Sequence, residues 1–341
     1  MELSKKRNFA YFDILKFILI FLVVFGHIIE KYIDFPLIKS IYLFIYSFHM
    51  PLFVFVSGFF AKYNKSKCYN YLFLYLLLQI IHISLSLTVI APKSQYSFID
   101  ILGFIFAPQW TLWYLLALAF WIFSLKFIKK INIKLICALV ILSLILGFVP
   151  FISTPLSLSR IIYFFPFFLL GKYFGENKEK FTEKIKELKK PIFKILSIVY
   201  LILLFIVLFL LASKFDIDFF YGSTPYSNIY DFPIRLIIYI LAFLTSLSVL
   251  ILTPMKNDEN IYAGGGFYNI ISPYCIGKRT LSIYLLHPII ILFLNKFLSL
   301  STLHLFLILI ICFMLTIIIV IFTSLPIFQN FINRLKFYKT N

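Results

Sequence analysis

Apolar runs of about 20 residues, long enough to cross the hydrocarbon of a bilayer, recur along this chain. Backbone in lipid must satisfy its hydrogen bonds internally, so such runs admit helices and little else. Counting them predicts about ten transmembrane helices, at 9–29, 41–61, 70–90, 111–128, 133–151, 160–175, 192–213, 232–253, 279–298 and 303–325. The stretch FIDILGFIFAP, 98–108, fits an interfacial or re-entrant segment and leaves the count unchanged. No polar block is large enough to form a soluble domain, so residues 1–341 read as one all-α integral membrane domain. With 62% hydrophobic and 13% charged residues, a soluble fold of this size is excluded.

The net charge of +18 does not point to nucleic acid, because the basic residues sit between apolar runs. With the N-terminus in the cytoplasm, the inner segments hold Lys5, Lys6 and Arg7, then Lys62, Lys65 and Lys67, then Lys126, Lys129, Lys130 and Lys134. They continue with the lysine-rich stretch 172–194, with Lys256, Lys278 and Arg279, and with Arg334, Lys336 and Lys339. The outer side keeps only Lys31, Lys39, Lys93, Arg160, Lys214, Arg235 and Lys296. This bias places both termini in the cytoplasm. The basic N-terminus leads into a run too long for a cleaved leader and lacks a small-residue cleavage site, as in an uncleaved signal anchor. ENKEKFTEKIKELKKP reads as a short surface helix stopped by Pro191 and resting on anionic headgroups. The outer loop 214–231 is polar and aromatic, which suits either an interfacial belt or a sugar-binding face. Cys68, Cys137, Cys275 and Cys312 are scattered, so neither a metal site nor a disulfide framework is expected. Abundant Ile, Phe, Lys, Asn and Tyr suggest an AT-rich bacterial genome, and with it a bacterial cytoplasmic membrane.

The first run carries Asp13, Lys16 and His27. Ionisable groups at membrane depth are costly and mark function by default. Helical periodicity places all three on one stripe, with Lys16 and His27 about 16 Å apart along the axis. The bland alternative is an ion pair tying this helix to a neighbour and a hydrogen-bonded core histidine.

Other spans carry polar groups too. In SFHMPLFVFVSGFF, Pro51 removes a backbone donor and kinks the helix beside His49, while small Ser57 and Gly58 permit close helix approach. Trp110, Trp113 and Trp121 suit boundary anchors. Arg160 opens a span on the outer side and suits a headgroup or an anionic acceptor group. Arg279 stands at an inner mouth with His287 about 12 Å deeper, followed by Pro288. AGGGF at 263–267 offers backbone N–H groups to phosphate, without the strand and helix of a dinucleotide fold. His82 and His304 read as structural. No HExxH, GxSxG or Walker A motif occurs, which leaves proton transfer from a hydroxyl as the chemistry these groups suit.

FDILKFILIFLVVFGH, SFHMPLFVFVSGFF, TLWYLLALAFW, RIIYFFPFFLLGKYFG and LSIYLLHP, in that order, resemble the acyltransferase 3 superfamily, and within it the fucose 4-O-acetylase-like membrane acetyltransferases. The resemblance covers about residues 9–325. It implies acyl transfer from cytoplasmic acetyl-CoA to a sugar hydroxyl of a surface polysaccharide or lipid-linked glycan. It makes His27 the catalytic histidine and general base, with Asp13 and Lys16 as the matching charged positions; Lys16 stands where many members have arginine. Substrate and acyl-donor contacts are expected from His49, Ser57, Trp113, Arg160, Arg279 and His287, with His49 or His287 as oxyanion donors and no metal. Many relatives carry Arg-x-x-Arg after the second span; here that loop has Lys62, Lys65 and Lys67. The chain lacks the length of members fused to an extracytoplasmic SGNH-type domain, which implies direct transfer to a glycan or to a separate partner. The reading from another class is a transporter or flippase for a lipid-linked glycan.

Overall fold

A computed structural model describes residues 2–90, 103, 106–152, 155–255 and 271–336. The 263–267 glycines, most of 98–108 and the side chains of Lys5, Lys6 and Arg7 lie outside the described residues. Among the described residues every regular element is helical: α1 (Glu2–Ile29), α2 (Pro36–Tyr46), α3 (His49–Phe60), α4 (Lys65–Leu85), α5 (Trp113–Ser124), α6 (Ile133–Ile145) and α7 (Leu158–Glu176). There follow α8 (Lys178–Leu188), α9 (Pro191–Leu211), α10 (Asp231–Leu252), α11 (Pro273–Lys278), α12 (Thr280–Phe297), α13 (Leu305–Thr323) and α14 (Pro326–Leu335).

Among the described residues, seven stretches are long and apolar enough to cross a membrane: Ala10–Tyr32, Pro36–Phe60, Lys65–Thr88, Pro191–Leu211, Asp231–Leu252, Thr280–Phe297 and Leu305–Thr323. They match seven of the expected spans. The other three coincide with α5 and α6, which are shorter, and with α7, which carries Arg160 and Lys172 toward its ends. α9 exposes Ile195, Leu196, Ile202, Leu203 and Leu210 along its length. An apolar surface of that extent is stable in lipid rather than water. The protein is a multi-pass membrane protein.

The second span begins earlier than expected and is broken at Ser47–Phe48, between α2 and α3. Pro51 has no N–H to give the Ser47 carbonyl, so the helical ladder is interrupted at this point. The Ser47 hydroxyl turns back onto Phe44 O at 2.7 Å.

The chain forms two compact units, each described here by itself. In the first (1–56, 177–216, 240–332), α1 packs against α2, α11, α12 and α13, and α9 against α2. Gly277 of α11 lets that helix touch the α1 backbone: a Cβ there would lie 1.8 Å from Asp13 O. α8 is the amphipathic helix expected from its sequence, and Phe181 buries against Phe12 and Phe55. Lys189, just beyond it, gives hydrogen bonds to Ile251 O (2.9 Å) and Thr253 O at the end of α10, where Tyr11 also bonds Leu250 O at 2.7 Å.

In the second unit (57–176, 217–239, 333–341), α4 packs on α5, and both α5 and α6 pack on α7. Gly58 allows the expected close approach, since a Cβ would meet Phe168 O at 1.9 Å. Trp121 departs from the boundary-anchor expectation. It is fully buried and donates to Ile161 O at 3.0 Å, because a buried indole needs an acceptor and α7 supplies one.

Candidate active site

The polar stripe of α1 is a pair at one end and a cluster at the other. Asp13 is buried, and its Oδ1 lies 2.7 Å from Lys16 Nζ, one turn along. Neither group could lie at this depth cheaply without its partner. Three turns further on, His27 Nδ1 is 3.3 Å from Glu30 Oε2 and 3.3 Å from Tyr46 Oη. A carboxylate only accepts, so Nδ1 carries the hydrogen that faces it, and in the neutral ring Nε2 is then the acceptor.

Tertiary packing in this unit brings two further histidines to the same place. The His287 ring lies nearly parallel to His27, with centroids 5.6 Å apart at 21°. His49 meets Tyr46 edge-on at 4.5 Å, so Tyr46 touches His27 on one side and His49 on the other. Both histidines are buried and donate from Nδ1 to the carbonyl one turn back: His49 to Ile45 O at 2.8 Å, His287 to Ile283 O at 2.9 Å. In the neutral rings Nε2 is therefore an acceptor. An oxyanion-stabilising role for either ring would use the imidazolium, in which Nε2 also carries a hydrogen.

The remaining expected contacts divide. Arg279, also in this unit, gives Nη1 to Ser324 O at 3.3 Å, serving the carbonyl end of α13. Ser57, Trp113 and Arg160 belong to the second unit. Ser57 Oγ and Tyr114 Oη are 2.6 Å apart. Arg160 lies over the rings of Trp113 (5.6 Å) and Tyr221 (5.7 Å) and gives Nη2 to Ser223 Oγ at 3.3 Å. No group of three or more His, Cys, Asp and Glu residues suited to hold a metal occurs among the described residues.

Glu30 and Tyr46 were not picked out from the sequence. The signal for Glu30 was available: it follows His27 by three residues on one helix face. Tyr46 had none, because its place beside His27 depends on how α2 packs.

A family model described as an acyltransferase domain matches residues 9–324. The chain belongs to the acyltransferase family. No curated protein and no solved structure matches it. The protein is thus an enzyme that moves acyl groups, and the pairing of an imidazole with a carboxylate suits the proton transfers such a reaction requires.

Proposed function

We propose that this acyltransferase carries an acetyl group from cytoplasmic acetyl-CoA to a hydroxyl of a surface polysaccharide or lipid-linked saccharide, with His27 as general base. The observation that carries the reading is the His27–Glu30 contact on α1, in a chain whose family transfers acyl groups. Glu30 holds Nδ1–H and thereby fixes the tautomer in which Nε2 accepts a proton. His27 Nε2 takes the proton of the acceptor hydroxyl as its oxygen bonds to the thioester carbon. The C–S bond then breaks, and the proton passes to the departing CoA sulfur. Asp13 holds Lys16 in place, and the Lys16 ammonium faces the thioester or the phosphates of the donor. With their Nε2 lone pairs, His49 and His287 suit proton relay.

The same reading gives about ten spans, α5, α6 and α7 included, with both termini cytoplasmic in a bacterial cell membrane. It treats the two units as one catalytic domain. Basic loops at the inner face receive acyl-CoA, lipid surrounds the helices, and the outer loops receive the glycan.

The test is transfer of label from acetyl-CoA by membranes containing wild type or His27→Ala at equal level, alongside O-acetyl content of surface glycan in a deletion host complemented by each. Label transfer and glycan acetylation by wild type alone support the reading. Equal activity of both versions removes His27 from the chemistry. Unchanged acetylation on deletion, with less glycan reaching the surface, moves the protein to transport.

A further inference from the structure

Arg235 lies in the second turn of α10 and is 2% exposed, one of the largest fully buried side chains of the protein. Desolvating a guanidinium costs several kcal/mol unless an opposite charge and hydrogen bonds compensate. Neither is supplied in full. Among the described residues Arg235 gives one hydrogen bond, from Nη2 to Thr224 O, and forms no ion pair within 4.0 Å. Its buried Nε has no partner. Asp231, one turn earlier, has its Oδ2 engaged by Ser227 N (2.7 Å), Ser227 Oγ (2.8 Å) and Asn228 N (3.2 Å).

The surroundings are built rather than accidental. The Tyr226 ring lies under the guanidinium at 4.5 Å, and its hydroxyl interacts with the Arg235 side chain and has no further hydrogen-bond partner. Gly147 makes the room: a Cβ there would stand 2.7 Å from Arg235 Nη1 and 2.4 Å from the Tyr226 ring. Gly147 O receives Tyr226 N at 2.8 Å. The N-terminal end of α10 adds its positive dipole. The same loop is held from its other end by Arg160, through Tyr221 and Ser223.

We propose that Arg235 Nε, with the Tyr226 hydroxyl beside it, is the receptor for one oxyanion, the carboxylate or phosphate of an acidic acceptor saccharide held under residues 221–226. The guanidinium fork matches such a group. The anion adds to the negative charge that Asp231 already sets near Arg235, and it accepts the Nε–H that is left without a partner. The word acceptor rests on the proposed acyl transfer; the anion site itself does not.

The test uses the full chain in nanodiscs and three probes, glucuronate, glucose 1-phosphate and glucose, read by saturation-transfer NMR. One or both anionic probes should bind about tenfold more tightly than glucose, the worth of a charge-assisted hydrogen bond. Glucuronate ahead identifies a sugar carboxylate, and glucose 1-phosphate ahead identifies a phosphate. Arg235→Gln should remove the advantage. Should that variant not fold, Tyr226→Phe, which keeps the ring under the guanidinium, should still weaken anion binding several-fold. Equal binding of all three probes by wild type, or an anion preference that survives in Arg235→Gln or is untouched in Tyr226→Phe, overturns the proposal. Acetyl-CoA turnover is measured on the same nanodiscs with His27→Ala, which should abolish transfer and leave anion binding intact, so the two readings fail separately.

Discussion

His27 Nδ1 lies 3.3 Å from Glu30 Oε2, one helical turn further along α1. The carboxylate decides which imidazole nitrogen is basic. His27→Ala should therefore lower acyl transfer by roughly 10²–10⁴-fold, the usual worth of a general base. Glu30→Gln, which keeps shape and loses charge, should give a smaller loss carried by kcat rather than KM. Wild-type kcat in Glu30→Gln would remove the carboxylate from the mechanism.

The Asp13–Lys16 pair should show non-additive behaviour. Asp13→Asn leaves an ammonium within the helix bundle without its counter-charge, a change that costs as much as ~3 kcal/mol. Asp13→Asn with Lys16→Gln removes both charges and should be the more stable protein in detergent thermal unfolding. Activity should be lost in both. If the double variant loses as much Tm as Asp13→Asn and Lys16→Gln lose together when made singly, the residues act independently and the pairing is incidental.

Gly277 sits where α11 touches the α1 backbone at Asp13. Gly277→Val forces the helices apart and should cost about 1–3 kcal/mol or more through overpacking. It should also lower transfer without altering any polar group. A variant with unchanged Tm and activity would show that the approach is looser than the structure has it.

Lys189 gives a pH signature. Burial, aided by the nearby Lys194 charge, lowers its pKa to about 8. The unfolded lysine titrates near 10.5. Between these values the unfolded chain binds more protons than the folded one, so stability rises with pH across that window. Relative to Lys189→Met, wild type should gain Tm from pH 8 toward pH 10 and show a constant difference below pH 7. A flat difference across the whole range would refute the lowered value.

Much of the first unit was legible from the chain. The apolar runs located seven spans, and helical spacing placed Asp13 beside Lys16 because both lie on one helix. The histidine cluster was not legible. His27, His49 and His287 are far apart in sequence, and only the packing of α2 and α12 against α1, with α3 following directly on α2, brings their rings together. Arg235 was read as one more basic residue on the outer side, since a sequence shows that an arginine is present but not that it is buried beneath a loop. Trp121 was misplaced for the same reason: aromatic rings near span ends suit the interface and the core equally, and here α7 offers the indole a carbonyl.

The break at Ser47–Phe48 sets the bearing of everything after it. Tyr46 ends one helix and His49 begins the next, and their rings meet across two residues of joint. That joint works as the index mark of a dial. One residue added to it would turn α3 by about 100°, swinging His49 off Tyr46 while every apolar residue of the span stayed within the membrane. The length of this two-residue joint, rather than the hydrophobicity of the span that contains it, sets where His49 points.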